Sequence, residues 1–344
     1  MARFPSVLPE PLITPLRGGA TARWGVLAPG RIANDWVTTL HANTDQRVHA
    51  VASSDLARAA RFAASHGIPR HHGSYEELLQ DDAVDIVYIP ALNTEHKRLA
   101  LLTIAAGKHV LIEKPIAMNA AEAQEIATAA QAAGVFAMEA MWSRFLPQSD
   151  VIARLLADGE LGTVRWAAAD FGSHVPFDAA NRVFDPRVGG GALLDLGVYS
   201  VWFTHFALGA PSRVIAAGTL APTGVDAQAS LLLDYDGGAQ AQAAASILAR
   251  TPTTATIAGE SGCIKVDSPF PGPGGFRLVD ASGKRELRWT DTSPLHWRDG
   301  LAYQAVAVAQ HVADGLLESP LHPLSTSIAM MRVLDDARAQ LGAL

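Results

Sequence analysis

Cysteine is nearly absent. Cys263 stands alone, which excludes an intrachain disulfide, leaves no thiol cluster for zinc and suits a reducing compartment. Positive charge is also in short supply: 27 Lys and Arg against 34 Asp and Glu give a formal charge of -7. A chain so balanced lacks the electrostatic footprint of a nucleic-acid or anionic-membrane binder, and small molecules are the expected partners. The N-terminal stretch is broken by Pro5, Pro9, Pro11 and Pro15 before any signal-like apolar run can form. No uninterrupted apolar stretch elsewhere looks long enough to span a bilayer. No membrane partner and a cytoplasmic location are therefore expected. A Gly-x-Ser-x-Gly elbow is missing too, so nothing points to a serine hydrolase of that type.

What is present is ample apolar material, 49% of 344 residues, enough for two packed cores and too much chain for one. The expected organisation is a Pro-rich arm over residues 1–22, outside the core, then a nucleotide-binding domain over 23–146 and a substrate and oligomerisation domain over 147–344. In the second segment short apolar runs (24–28, 48–53, 86–90, 109–112, 135–139) alternate with amphipathic stretches (32–41, 55–66, 94–106, 120–133). Strand-then-helix spacing of this kind predicts βαβ units and a parallel, doubly wound sheet. Asn119 with Glu122 opens the 120–133 helix and Gly134 ends it. Ser74 opens a short helix, and Gly107 closes the one before the fourth run.

After Pro147 one more helix (150–157) gives way to strands at 164–171, 213–220, 227–235, 239–248, 254–259 and 262–267, separated by Gly, Pro and Asp turns. This predicts an α+β domain with a large, mainly antiparallel open sheet. Helices over 298–317 and 325–341 close the chain, with room to pack back on the first domain.

The first run leads into Ala28-Pro29-Gly30-Arg31-Ile32-Ala33, where a dinucleotide loop would read Gly-x-Gly-x-x-Gly/Ala. Gly30 would admit a pyrophosphate and Ala33 would let the helix pack close to the strand. Ala28 replaces the first glycine, which is workable with a negative φ. One glycine in a βα turn is a weak sign, but a loop between the first strand and first helix of a βαβ series is the setting the motif needs. Ala52-Ser53-Ser54-Asp55 ends the second run without an acid at its tip. Ser53, Ser54, Arg31 and Arg58 could surround a 2'-phosphate, which favours NADP over NAD, with Asp55 as the N-cap of the next helix.

Glu113-Lys114-Pro115 follows the fourth run at the carboxyl edge of the sheet, where doubly wound folds bind ligands. A lysine there can hold a substrate oxygen and stabilise charge developing on it. In the second half, Gly189-Gly190-Gly191 precedes an apolar helix running to Leu208, on which Asp195 and Tyr199 would be buried and share a face. His41, His66, His71 and His72 sit at helix ends or in loops and are expected to be exposed. No residues have metal-ligand spacing, so no metal is expected.

Taken together, Gly30-Arg31-Ile32-Ala33, Asn93 with His96, Ala106-Gly107-Lys108-His109-Val110, Glu113-Lys114-Pro115 and Gly190-Gly191 through Asp195, Gly197 and Tyr199 resemble the Gfo/Idh/MocA oxidoreductases over about residues 23–340. Glu139-Ala140-Met141-Trp142-Ser143-Arg144-Phe145 and a tyrosine at 199 look most like the dihydrodiol dehydrogenase and sugar dehydrogenase branch. The resemblance implies Lys114 and Tyr199 as the catalytic pair, supported by Asp195. It places Leu92, Asn93, His96, Glu113, Trp142 and Arg144 at the cofactor, and Trp142 and Phe171 at the substrate. It also implies a homodimer or homotetramer built through the second sheet. The expected reaction is reversible oxidation of a secondary alcohol in a sugar, polyol or cyclic diol. A glycosidase or lyase using a tightly bound nucleotide in a redox cycle, or a non-catalytic dinucleotide or sugar sensor, are the competing readings.

Overall fold

The computed structural model describes residues 4–344, so residues 1–3 of the expected arm lie outside the described residues. In chain order the elements are β1 (Arg23–Leu27), α1 (Arg31–Asn43), β2 (Arg47–Ala52), α2 (Leu56–His66), β3 (Arg70–His72), α3 (Tyr75–Leu79), β4 (Ile86–Ile89), α4 (His96–Ala105), β5 (His109–Glu113), α5 (Ala120–Ala133) and β6 (Ala137–Ala140). They continue as α6 (Pro147–Ala157), β7 (Val164–Gly172), α7 (Val198–Leu208), β8 (Arg213–Leu220), β9 (Asp226–Asp234), β10 (Gln240–Ser246), β11 (Ala255–Gly259), β12 (Gly262–Val266), β13 (Gly275–Asp280), β14 (Glu286–Thr290), α8 (Leu301–Ala313) and α9 (Leu324–Leu341). Two compact units result: one holds residues 13–145 and 295–328, the other residues 4–12, 146–294 and 329–344.

The first unit is a parallel six-stranded sheet in the order β3-β2-β1-β4-β5-β6. β4 and β6 are buried at every position; burial on both faces explains the unbroken apolar run of β4, while β6 carries Glu139 within its run. The order reverses between β1 and β4, the switch point at which such sheets bind ligands. α1 buries Ala33, Trp36, Val37 and Leu40. Its Trp36 stacks on Tyr88 of β4 at 4.3 Å and meets Trp24 of β1 edge-on at 5.1 Å. The caps follow the sequence: Asp55, Ser74 and Asn119 accept the amides of Arg58, Glu77 and Glu122, and Gly134 takes a left-handed φ of 65°. The almost wholly buried α8 packs on α1 in this unit, beyond where the sequence placed the domain's end. The edge strand β6 is partly covered by the segment after α8, where the Ala137 amide donates to the Leu317 carbonyl at 3.0 Å.

The second unit is built on an eight-stranded sheet, β14-β13-β12-β11-β7-β10-β9-β8, antiparallel except for the β7–β10 pair. β13 and β14 were not expected from the sequence. β14 is five residues of alternating exposure after a polar turn, and such short strands exist through their neighbour's ladder rather than through apolar content. α7 lies against β7 and β10. By length and composition Pro186–Leu208 could cross a membrane, although Arg187 and Asp195 interrupt its apolar run, and 72% of its most apolar window is buried. Residues 198–204 are all buried. It is a core helix.

The proline-rich segment is tethered rather than free. Arg17 donates to the Ala42 carbonyl at 2.7 Å and Asp45 accepts from the Gly18 amide at 2.7 Å, both inside the first unit. In the second unit the Leu12 amide donates to Asp150 at 2.7 Å, and Arg285 lies over the Phe4 ring at 4.6 Å.

Candidate active site

The loop after β1 is wound differently from the sequence expectation. Ala28 has φ +56°, so the alanine occupies the left-handed region that the missing glycine would favour, and the negative φ anticipated for it is not adopted. Its amide donates to the Ala52 carbonyl at 3.0 Å, tying the loop to β2. A Cβ built on Gly30 would meet nothing within 4 Å: the loop is open where a pyrophosphate needs close approach. Gly30 caps α1 without a side-chain hydrogen bond and the first turn carries no acid. Amides with no internal acceptor, an open glycine and an unopposed helix dipole suit an anionic dinucleotide. Pro29 is buried, whereas Arg31 is exposed and Ile32 half-buried.

At the tip of β2, Ser53 is 1% exposed and its hydroxyl accepts the Asp55 amide. Ser53 is therefore structural. The Asp55 carboxylate is itself occupied in capping, accepting the Arg58 amide at 3.2 Å. Ser54, Asp55, Arg31 and Arg58 are the exposed polar residues of this edge.

Lys114 leaves β5 on a turn gripped by buried groups. The Lys114 amide donates to Glu113 Oε2 at 3.1 Å, and Tyr88 donates its hydroxyl to Glu113 Oε1 at 2.6 Å. Burial raises the Glu113 carboxyl, against the lowering effects of Tyr88 and the Lys114 charge. His96 is fully buried, with Nδ1 2.7 Å from the Pro115 carbonyl and Nε2 3.2 Å from the Ala91 carbonyl. Burial lowers its pKa despite both contacts, so we assign the neutral tautomer with Nδ1–H donating to Pro115. His96 thus holds the lysine turn from within rather than facing solvent. Leu92 is exposed and Asn93 half-buried in the 3-10 turn after β4. Trp142 is 4% exposed and packs edge-on against Trp297 at 5.9 Å, and Arg144 lies half-buried on the same turn.

Asp195, Tyr199 and Phe171 belong to the second unit. A π-helical turn spans Leu193–Gly197 before α7 begins, so the four-residue spacing of Asp195 and Tyr199 is not that of a regular α-helix. Asp195 is not buried as expected: its side chain is 20% exposed and ion-pairs with Arg182 at 3.2 Å. Tyr199 is 7% exposed and its ring meets Phe171 at 5.7 Å. The π turn is anchored by a group the sequence did not flag, Asp226, whose Oδ2 accepts the Leu193 amide at 2.6 Å. Gly191, at φ +117°, leaves room for that carboxylate, since an added Cβ would sit 2.4 Å from its Oδ1.

His322 and Ser327 were also missed: His322 meets the buried Glu139, and Ser327 meets His322. These long-range partners carry no spacing signal in the sequence. His71 is exposed as expected, but His41, His66 and His72 are half-buried; His41 accepts the Val48 amide at 3.1 Å and burial lowers its pKa. Among the described residues no cluster could hold a metal ion.

Residues 22–141 match the family model for the oxidoreductase family with an NAD-binding Rossmann fold, and residues 150–265 match the GFO/IDH/MocA C-terminal domain. The chain belongs to the Gfo/Idh/MocA family. Like that family it is a nicotinamide-dependent oxidoreductase. The trans-1,2-dihydrobenzene-1,2-diol dehydrogenase of Xenopus tropicalis is 38% identical over 326 residues, which cover 93% of this chain and 98% of the relative. A 3-ketoreductase from Actinomadura kijaniata, solved with NADP and TDP-benzene, is 27% identical with a TM-score of 0.77, over 95% of this chain and 98% of that one. Levoglucosan dehydrogenase, solved with NADH and levoglucosan, shares the fold at a TM-score of 0.85 and 17% identity, over 93% and 97%.

Proposed function

We propose that this Gfo/Idh/MocA protein is an NADP-dependent dehydrogenase of secondary alcohols in cyclic diols or sugars, with Lys114 and Tyr199 handling the proton. The observation that carries the reading is the Lys114 turn, fixed by buried groups at the carboxyl edge of β5. The likeness to the diol dehydrogenase along 93% of the chain supports the substrate class. The engagement of Asp55 in capping supports NADP, because no other acid stands at the tip of β2 for a ribose 2'-hydroxyl.

The nucleotide, when bound, supplies the two-electron acceptor. Gly30 and the first amides of α1 hold its pyrophosphate, and Ser54, Arg31 and Arg58 hold the 2'-phosphate. Lys114 steadies the substrate oxygen as negative charge develops on it; the Tyr199 phenolate takes up the hydroxyl proton in oxidation, and the Tyr199 phenol returns it in reduction. A phenol of ordinary pKa near ~10 is a weak base at neutral pH, so an ammonium that stabilises the phenolate serves the step. Asp195, paired to Arg182, supports the segment that leads to Tyr199.

A spectrophotometric panel of cyclic diols, sugars and inositols with NADP and NAD tests the reading. Cofactor reduction on a diol or sugar, faster with NADP, is expected. Substrate consumption without net cofactor turnover would point to a redox-cycling glycosidase or lyase instead, and cofactor binding with no turnover to a sensor. For assembly we propose a homodimer through the outer sheet face. The cross-strand row Ile215, Leu232, Gln242, Ala168 and Thr256 runs over that face with none of its residues buried. A monomer at micromolar concentration in sedimentation would refute it.

A further inference from the structure

We propose that His322 and Ser327 are positioning residues for Lys114, acting through the buried carboxylate of Glu139. The inference rests on the reading of Lys114 as the residue that holds the reacting oxygen.

Glu139 sits in β6 and is 1% exposed. One oxygen, Oε1, accepts the amide of Ile116 at 3.0 Å, two residues after Lys114. The other, Oε2, lies 3.0 Å from His322 Nε2, and the Ser327 hydroxyl lies 3.1 Å from that same ring nitrogen. His322 and Ser327 are 1% and 0% exposed, and they lie in the segment after α8 and the first turn of α9. Both fall outside the stretches matched by the two family models.

A buried carboxylate persists as an anion only when its lone pairs are met by donors. Burial would raise the Glu139 carboxyl, and the hydrogen bond with His322, the nearby Ser327 hydroxyl and the Ile116 amide outweigh it and leave the pKa lowered. The anion therefore grips the Ile116 amide as a charge-assisted hydrogen bond, stronger than a neutral one. Together with His96 on the Pro115 carbonyl, this fixes both residues that follow Lys114. The Ser, His and Glu do not form a hydrolytic triad, because a single ring nitrogen faces both partners, whereas a triad uses one nitrogen for each. Their chemical consequence is the placement of the lysine backbone. The titratable groups facing Glu139 are His322 and, from α4, His96, whose imidazole also feels the Lys114 charge.

The test compares His322→Gln, Ser327→Ala, Glu139→Gln and the Glu139→Gln/His322→Gln double variant with the wild type. Hydrogen exchange at the Ile116 amide is followed without cofactor; kcat, KM and the pH profile of kcat/KM are followed in turnover. His322→Gln should speed exchange and lower kcat, each by about tenfold or more, with KM changed by less than about threefold, since the loss is one of orientation. Its activity should also fall off at higher pH on the acid side than that of the wild type, because Glu139 without its histidine donor takes up a proton more readily. Glu139→Gln keeps a carbonyl for Ile116 and cannot titrate. It should abolish that acid limb and make the added His322→Gln silent in the double variant. Ser327→Ala, a gentler change should His322→Gln fold poorly, should shift exchange and kcat in the same direction by a smaller factor. Wild-type exchange at Ile116, or a wild-type kcat and pH profile, in His322→Gln would overturn the proposal. Full turnover by Lys114→Met would instead sink the reading of Lys114, while the exchange result would still report whether the buried grip exists.

Discussion

Replacing Asp226 by Asn should remove a pH dependence of stability that the wild type carries between about pH 4 and pH 7. Asp226 is 1% exposed at the start of β9, with the Leu193 amide on one oxygen and Gly191 pressed against the other. Burial pushes its carboxyl up from 3.8 to about 6; the amides of Leu193, Asp226 and Ala192 and the Arg338 charge oppose this without cancelling it. For an acid whose folded pKa exceeds the unfolded one, the stabilising contribution is complete below 3.8 and is lost as pH rises through about 6. A gap of about two units corresponds to about 3 kcal/mol, at ~1.4 kcal/mol per unit. Asparagine keeps the acceptor for Leu193 and cannot ionise, though its NH2 lacks a partner near Gly191, a pH-independent cost of about 1–3 kcal/mol. The quantity to measure is therefore the difference in unfolding free energy between variant and wild type, by urea denaturation from pH 4 to pH 8. That difference should move in favour of the variant by about 3 kcal/mol as pH rises. Parallel stability curves would show that the carboxyl is not held above its ordinary range, and the argument from its burial would fail.

Lys114→Met and Tyr199→Phe should each lower kcat by about 10²-fold or more with cofactor affinity nearly kept, as measured by steady-state kinetics and fluorescence titration; near wild-type turnover in both would remove the proton-handling assignment. Ser54→Asp should shift the ratio of kcat/KM for NADP to NAD towards NAD by about tenfold or more, since a carboxylate repels a 2'-phosphate and accepts from a 2'-hydroxyl. Ala28→Gly should stabilise the fold by about 0.5–1 kcal/mol, the relief of a left-handed alanine exceeding the entropy gained by the unfolded glycine; thermal denaturation showing a lower midpoint would contradict the φ of +56°.

The sequence by itself determined the parallel sheet and nearly every element in it, because strand and helix periods, Asn119 and Gly134 as caps, and the loop at Gly30 are local signals that a βαβ unit needs wherever it occurs. It also marked Lys114, since a residue following β5 lies at the carboxyl edge of the sheet by topology alone. Tertiary structure decided what surrounds that lysine. Glu139 meets residue 322, Asp226 meets residue 193, and His96 meets the turn at Pro115. Contacts over such separations obey no periodicity, because they arise only when separate segments close on one interior. The same closure turned the expected spacing of Asp195 and Tyr199 into a π turn and drew Asp195 to Arg182 at the surface. It set Ala28 at a φ that its side chain does not favour. Residue types fixed which groups could do chemistry, and burial decided which of them carry charge and which backbone atoms they hold.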